Sequence, residues 1–335
     1  MQLRFSRAVT PILLSLLLSA TALNGALASS PPECLKALTL QKGLGRLGIS
    51  VLDLDKGQWL SLHGEERFPL QSVFKFPLAV TVLQMVDSKQ LSLDKKVVLK
   101  RKDLAVLYSP LAANFKGEQQ TYTIRDLIES SVQLSDNTAC DVLLDQIGGT
   151  VKVNESIKKT KIEGLRVDRY ERQLQPDILA LPRLEPPGAT NKAKWNAEVA
   201  TATGPAAQKA FDFYLHEDER DMSTPHAMAA YLEEFYRGNL LSPASTKFLM
   251  DVMSGTKTGA ARIRAGLPSG AKLAHKTGTG PSLKGVYSGT NDVGIATLPS
   301  GRRVAIAVFL SGSRLSEAKQ DAAIRDATKC AIEHL

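Results

Sequence analysis

Ser72 and Lys75 stand three residues apart in LQSVFKFPLAV, residues 70–80, where the chain turns wholly apolar. Residues at that spacing share a helix face. A lysine on the buried side of a helix is costly unless it is paired or used. Taken alone, the pair reads as a capping serine and a lysine that reaches back to solvent. Two more short motifs change that weighting. Ser135-Asp136-Asn137 stands just before an apolar helical pattern, and Lys276-Thr277-Gly278 lies in a segment that reads as a strand. Each also has a bland reading, since Ser-Asp-Asn is a good helix cap. In this order, however, the three supply a hydroxyl nucleophile, an amine for proton transfer, a second hydroxyl and a second cation. That is the equipment for covalent acyl transfer.

The elements that must position these groups are legible as periodicities. GRLGISVLDL and QWLSLH read as strands joined by the turn DKG. A helix is expected over roughly 72–86, opening on Ser72. TIRDLIESSVQL has apolar residues at helical spacing, and NTACDVLLDQI is a helix closed by Gly148-Gly149. STPHAMAAYLEEFYRGN starts with a capping residue and Pro225 and ends on Gly238, and SPASTKFLMDVMSG is a further helix. AKLAHKTGTG, NDVGIATLP and RVAIAVFLSGS read as strands, and a last helix fills 315–334. Strands at both chain ends with helices between them imply an antiparallel sheet carrying an inserted helical lobe. One segment breaks the rhythm. Residues 176–212 hold five prolines and show no clear period over their first half, although GPAAQKAFDFYLHEDE could form a helix.

Composition bounds the rest. The chain has 335 residues, 43% of them hydrophobic and 23% charged, an ordinary globular balance. Residues 1–28 carry Arg4 and Arg7, an apolar run and then Ala26-Leu27-Ala28, the pattern of a secretory signal cleaved after Ala28. Its apolar run is short for an anchor, and no later stretch approaches the ~20 apolar residues of a membrane span. A secreted, periplasmic protein without a membrane anchor is expected. Loss of the leader removes two arginines and no acids, so the net charge falls from +8 to +6. No basic block is interleaved with aromatics, and nucleic acid is not an expected partner. Five scattered histidines, with no His-Glu-x-x-His or cysteine pair, offer no metal site, and no cofactor is expected. Three cysteines in an exported chain allow one bridge. Cys34 and Cys330 lie in terminal segments that would pack together, and their pairing is expected. Cys140, on an apolar helix face, reads as a buried free thiol.

With these motifs in hand, the sequence resembles a class A serine β-lactamase. RFPLQSVFKFPLAVTVL, LYSP, LSDNTACDVLL, RYERQL, DERDMSTPHAMA, AHKTGTG and TNDVGIATLPSGRRVAIAVF all look like family segments in family order. AHKTGT and TND resemble the divergent branch that includes extended-spectrum enzymes. The likeness implies an α/β (α+β), two-lobed fold of the serine β-lactamase and penicillin-binding-protein type. The sheet lobe would comprise residues 29–66 and 256–335, and the all-α lobe residues 67–255. It implies small-molecule β-lactam substrates and a monomer. It implies that Ser72 is the nucleophile and Lys75 its proton-transfer partner. Ser135 would pass a proton to the leaving nitrogen, and the N–H groups of Ser72 and Thr279 would form the oxyanion hole. Asn137 would meet both substrate and Lys75. Lys276, Thr277 and Thr279, with Gly278 between them, would hold the substrate carboxylate. Tyr108 would wall the pocket. Glu171, 36 residues after Ser135, would activate the water that releases the acyl-enzyme. Arg169 and Asp221 would form the ion pair that closes the family's Ω-shaped loop.

The sequence also departs from the family. Gln175 stands where the family carries an asparagine beside the deacylating water. Arg169 and Asp221 are about fifty residues apart, several times the usual span, so the loop carries an insertion at about 176–212. That insertion could cap the site, narrow substrate choice or project outward. No arginine lies on GVYSGTNDVG to assist with the carboxylate, and Lys319 is a weak substitute. Whether Lys75 or Glu171 serves as acylation base stays open. Two alternatives stand beside this: a D-alanyl-D-alanine peptidase-like enzyme, which would share Ser72, Lys75, Ser135 and Lys276 without needing Glu171, and a non-catalytic β-lactam sensor that stays acylated, which would need a membrane tether.

Overall fold

A central antiparallel sheet is built from both ends of the chain. In the computed structural model, its five strands run in the order Trp59–Leu62, Arg46–Asp53, Arg303–Ser311, Thr290–Thr297, Lys272–Thr279. The structure describes residues 30–105, 107–182 and 192–335, with only the backbone for 192–196. The expected leader, residues 1–28, lies outside the described residues.

The strand Arg303–Ser311 shows why its sequence is an apolar run rather than an alternation. Val304, Ile306, Val308 and Leu310 face one side, toward the terminal helices. Ala305, Ala307 and Phe309 face the other, toward the helical body. Successive side chains of a strand point to opposite faces, and here both faces are covered. The first face packs on Leu35 of the helix Glu33–Thr39 and on Ile324, Ala327 and Ala331 of the helix Glu317–His334. Cys34 and Cys330 are bridged between these two helices, with Cα atoms 6.1 Å apart, and Cys140 is a buried free thiol.

On the other face lies the helical body. At its centre, the helix Lys75–Asp87 is buried from Lys75 to Leu83, apolar on all sides, as a core helix must be. It is flanked by Ile124–Gln133, Asn137–Ile147, Thr150–Lys159, Pro225–Tyr236 and Pro243–Ser254. Their ends follow local chemistry. Thr123, Thr224 and Ser242 cap three of them through their side chains. Gly148, at φ 91°, ends another in the left-handed conformation that glycine adopts without a steric penalty. Among the described residues, small two-stranded pairs join Phe68–Pro69 to Met222–Ser223, Lys96–Lys100 to Gln119–Thr123, and Ser282–Leu283 to Val286–Tyr287.

The irregular segment is largely helical where it is described. Glu171–Ile178 enters it, Lys192–Thr201 lies within it and Pro205–His216 leaves it. The first and last of these share a small core of their own, with Leu174, Ile178, Phe211, Tyr214 and Leu283 buried together. Among the described residues, no helix is long and apolar enough to cross a membrane.

Candidate active site

Ser72 lies in a tight 3-10 turn, Gln71–Phe74, and the α-helix begins at Lys75. The tighter turn brings serine and lysine together directly, with Lys75 Nζ donating to Ser72 Oγ at 3.0 Å. Lys75 is fully buried and has further partners. Its Nζ donates to Ser135 O at 2.8 Å and to Asn137 Oδ1 at 2.6 Å, and lies 3.1 Å from Glu171 Oε1. Ser72 Oγ in turn donates to Glu171 Oε1 at 3.3 Å. One hydroxyl thus touches an amine and a carboxylate at once.

The Ser-Asp-Asn motif divides its labour. Ser135 sits at φ 59°, a backbone position uncommon outside glycine, which turns its hydroxyl toward the second lysine. Asp136 is buried and structural. It caps the following helix through Ala139 N at 2.9 Å and accepts Leu111 N at 2.7 Å, tying in the turn after Tyr108. Asn137 donates its N–H to Tyr108 O at 3.2 Å, and the Tyr108 side chain is exposed.

Lys276 projects from the strand Lys272–Thr279 and donates to Ser135 Oγ at 2.9 Å and to Thr277 O at 2.7 Å. Burial, and then the nearby Lys75 cation, push its ammonium well below the ordinary lysine range. Gly278 is required by space. A Cβ there would lie 2.8 Å from Leu70 O and 3.0 Å from Gln71 Cβ, so only glycine lets the strand pass this close to the turn bearing Ser72. Thr279 is exposed at the strand end. Thr277 faces away from Lys276, is buried, and meets Thr258 Oγ1 at 2.5 Å.

Glu171 begins the helix Glu171–Ile178 and is almost completely buried. Gln175, one turn on, donates Nε2 to Glu171 Oε2 at 3.3 Å, so the longer amide reaches the carboxylate itself. The closing ion pair also forms. Arg169 Nε donates to Asp221 Oδ2 at 2.6 Å across a separation of 52 positions. Asp221 Oδ1 accepts the N–H groups of Asp168 at 2.7 Å and Arg169 at 3.1 Å.

Two residues of this site were not singled out from the sequence. Asp141 accepts Glu171 N at 2.8 Å and Arg172 N at 3.0 Å, holding the N-terminus of the glutamate's helix. Burial pushes its carboxyl up to about 7. The available signal was an aspartate on an otherwise apolar helix face. Arg262 comes from the loop before the strand Lys272–Thr279, not from the strand Thr290–Thr297, which carries no arginine. It donates to Gly278 O at 3.1 Å, Asn291 O at 2.9 Å and Thr279 Oγ1 at 2.8 Å, and pairs with Asp321 at 2.7 Å. Lys319 is exposed on the last helix.

The arrangement offers partly accessible serines at 72 and 135, a buried amine beneath each, and a carboxylate beside the first. The Arg262 guanidinium reaches Thr279 Oγ1, and the Lys276 amine lies against Ser135 Oγ and against Thr277 O on the strand that bears Thr279. Such a site can attack an acyl carbon, protonate a leaving group and hold an anion.

Comparison with known proteins gives a consistent picture. The chain matches the model of the β-lactamase enzyme family over residues 33–335. It is 30% identical over 287 residues to the β-lactamase VEB-1 of Pseudomonas aeruginosa, covering 85% of this chain and 83% of that protein. It is 30% identical over 288 residues to the extended-spectrum β-lactamase PER-1 of the same organism, covering 86% of this chain and 82% of that protein. Among solved structures, a β-lactamase from Chitinophaga pinensis superimposes with a TM-score of 0.74 at 29% identity, over 90% of this chain and 98% of that one. An ancestral class A β-lactamase superimposes with a TM-score of 0.72 at 32% identity, over 90% of this chain and 99% of that one.

Proposed function

Because this chain belongs to the β-lactamase enzyme family, as a class A serine enzyme that hydrolyses β-lactams, we propose that it works through an acyl-enzyme on Ser72 released by water under Glu171. The observation that carries this reading is the position of Ser72 Oγ, 3.0 Å from Lys75 Nζ and 3.3 Å from Glu171 Oε1. Ser72 Oγ attacks the lactam carbonyl, and its proton passes to Lys75 or to Glu171. Negative charge on the carbonyl oxygen is met by the N–H groups of Ser72 and Thr279. When the C–N bond breaks, Ser135 gives its proton to the nitrogen and is resupplied from Lys75 or Lys276, both in hydrogen-bond contact with that residue. Lys276, Thr279 and Arg262 hold the substrate carboxylate, and Thr277 and Gly278 shape that strand. Asn137 contacts the substrate amide, and Tyr108 walls the entrance. Glu171, with Gln175 on its other oxygen, then takes a proton from the water that attacks the ester. The proton returns to Ser72 as the ester C–O bond breaks.

In this reading the site lies where the sheet lobe, residues 29–66 and 256–335, meets the helical lobe, residues 67–255. Residues 1–28 direct export and are cleaved after Ala28. The mature enzyme acts as a periplasmic monomer and protects its cell from β-lactams.

Glu171→Ala tests the mechanism. With a chromogenic cephalosporin, the native enzyme should turn over many times. The variant should release about one equivalent in a burst and carry a covalent adduct on Ser72, seen by mass spectrometry. Unchanged turnover in the variant would refute the role of Glu171. A single burst from the native enzyme would favour the peptidase-like alternative.

A further inference from the structure

Gln71, the residue before the nucleophile, is held in an unusual way. Its backbone sits at φ 47°, and its side chain is buried. That side chain runs through a slot made by three glycines. A Cβ would lie 3.0 Å from Gln71 Cβ if placed on Gly278, 2.5 Å from Nε2 on Gly280, and 3.0 Å from Cγ on Gly289. At the end of the slot, Nε2 donates to Tyr214 Oη at 2.9 Å and to Ser288 Oγ at 3.3 Å. Ser288 Oγ itself donates to Pro281 O at 2.8 Å, so it accepts from Gln71 Nε2, while Gln71 Oε1 is buried with no partner among the described residues.

Tyr214 comes from the helix Pro205–His216, within the long excursion between Arg169 and Asp221. It is buried among Leu174, Ile178 and Phe211, and the Arg169 guanidinium stands 5.6 Å from its ring centre. A phenylalanine would fill the same space. A buried hydroxyl is unfavourable without a partner, and this one accepts from Gln71 Nε2. Burial also pushes the phenol far above its ordinary range, so it stays neutral.

We propose that Tyr214 is a positioning residue for the oxyanion hole that Ser72 and Thr279 form. By accepting from Gln71 Nε2, it clamps the Gln71–Ser72 backbone against Gly278–Gly280 and sets the spacing of the Ser72 and Thr279 N–H groups. The enlarged loop thereby acts on the oxyanion hole, and not only on the deacylating water beside Glu171. This inference rests on the roles proposed above for Ser72 and the oxyanion hole.

Single-turnover stopped flow with a chromogenic cephalosporin separates acylation from deacylation. Tyr214→Phe removes only the hydroxyl. Gln71→Asn keeps an amide and tolerates the left-handed backbone, but is too short to span the slot. Each should slow both acylation and deacylation by roughly 10–100-fold through misalignment of the hole, since both steps place an oxyanion there, with substrate affinity and melting temperature little changed. The double variant should be no slower than the slower single one, since both break one contact. Unchanged acylation in Tyr214→Phe, or additive losses in the double variant, would overturn the proposal. So would a loss of rate that tracks a lower melting temperature and comes with weakened substrate affinity, which would make the role merely structural. Mass spectrometry of the acylated native enzyme keeps the two readings apart. An adduct on Ser72 with unaltered acylation in Tyr214→Phe defeats only the clamp. An adduct elsewhere defeats the nucleophile assignment, and the clamp with it.

Discussion

Lys276 is a fully buried lysine whose charge is disfavoured by burial and by Lys75. A substrate carboxylate beside it would restore the ammonium form. Binding should then take up a proton wherever the free enzyme holds Lys276 neutral. The sign follows: affinity for an anionic substrate is full below the depressed pKa and falls as pH rises through it. KM should therefore climb with pH well below the ordinary lysine value of 10.5, with kcat moving less. Lys276→Arg should flatten the climb, because a guanidinium does not titrate in that range. A native KM that stays level up to about pH 10 would contradict this. At this scale the sequence was informative where chemistry is local. Ser72 and Lys75 meet because three residues make one turn. It was silent on Arg262, because nothing near residue 262 announces that its side chain will reach Thr279 and Asn291.

The proposed oxyanion hole would lie between two elements, the turn Gln71–Phe74 and the strand Lys272–Thr279, and Gly278 sets their approach. Gly278→Ala would place a methyl against backbone, at 2.8 Å from Leu70 O, where no flexible tip can yield. Stability should fall by roughly 1–3 kcal/mol as the strand is displaced, and acylation should slow with it. Thermal unfolding and the amplitude and rate of the acylation burst would measure both; a variant matching the native enzyme in each would refute the spacing argument. The sheet strands and most helices were readable from period, caps and glycine stops; Thr150–Lys159, which opens on Gly149 with no side-chain cap, was not. The two-residue strands were not, since two residues carry no period. The segment 176–212 looked irregular because its helices bury their apolar residues against one another and against Leu283 rather than in the main core.

Across the whole molecule, the sheet is closed by chain ends almost three hundred residues apart. The bridge between Cys34 and Cys330 spans 296 positions. A link over so long a loop restrains the unfolded chain, and its removal should lower stability by about 2–5 kcal/mol. The cysteines lie with the terminal helices, on the sheet face away from the helical body that bears Ser72. Cys34→Ser with Cys330→Ser should therefore lower the urea midpoint while leaving turnover at room temperature near the native value. An unshifted midpoint would show that the termini are held by packing alone.

The sequence by itself determined what is local or recurrent: the three motifs and their order, the spacing of Ser72 and Lys75, the helix stops and the two-faced strands. These depend on residues within a turn or two, where backbone geometry leaves few alternatives. Tertiary structure alone decided the contacts between distant elements. Lys276 meets Ser135 across 141 positions, and Gln71 meets Tyr214 across 143. Asp141 grips the start of the Glu171 helix, and Arg262 reaches Thr279 from an unexpected loop. Such hydrogen bonds exist only once packed elements bring their partners within about 3 Å. Packing is set by burial of the whole apolar surface, which no short stretch encodes.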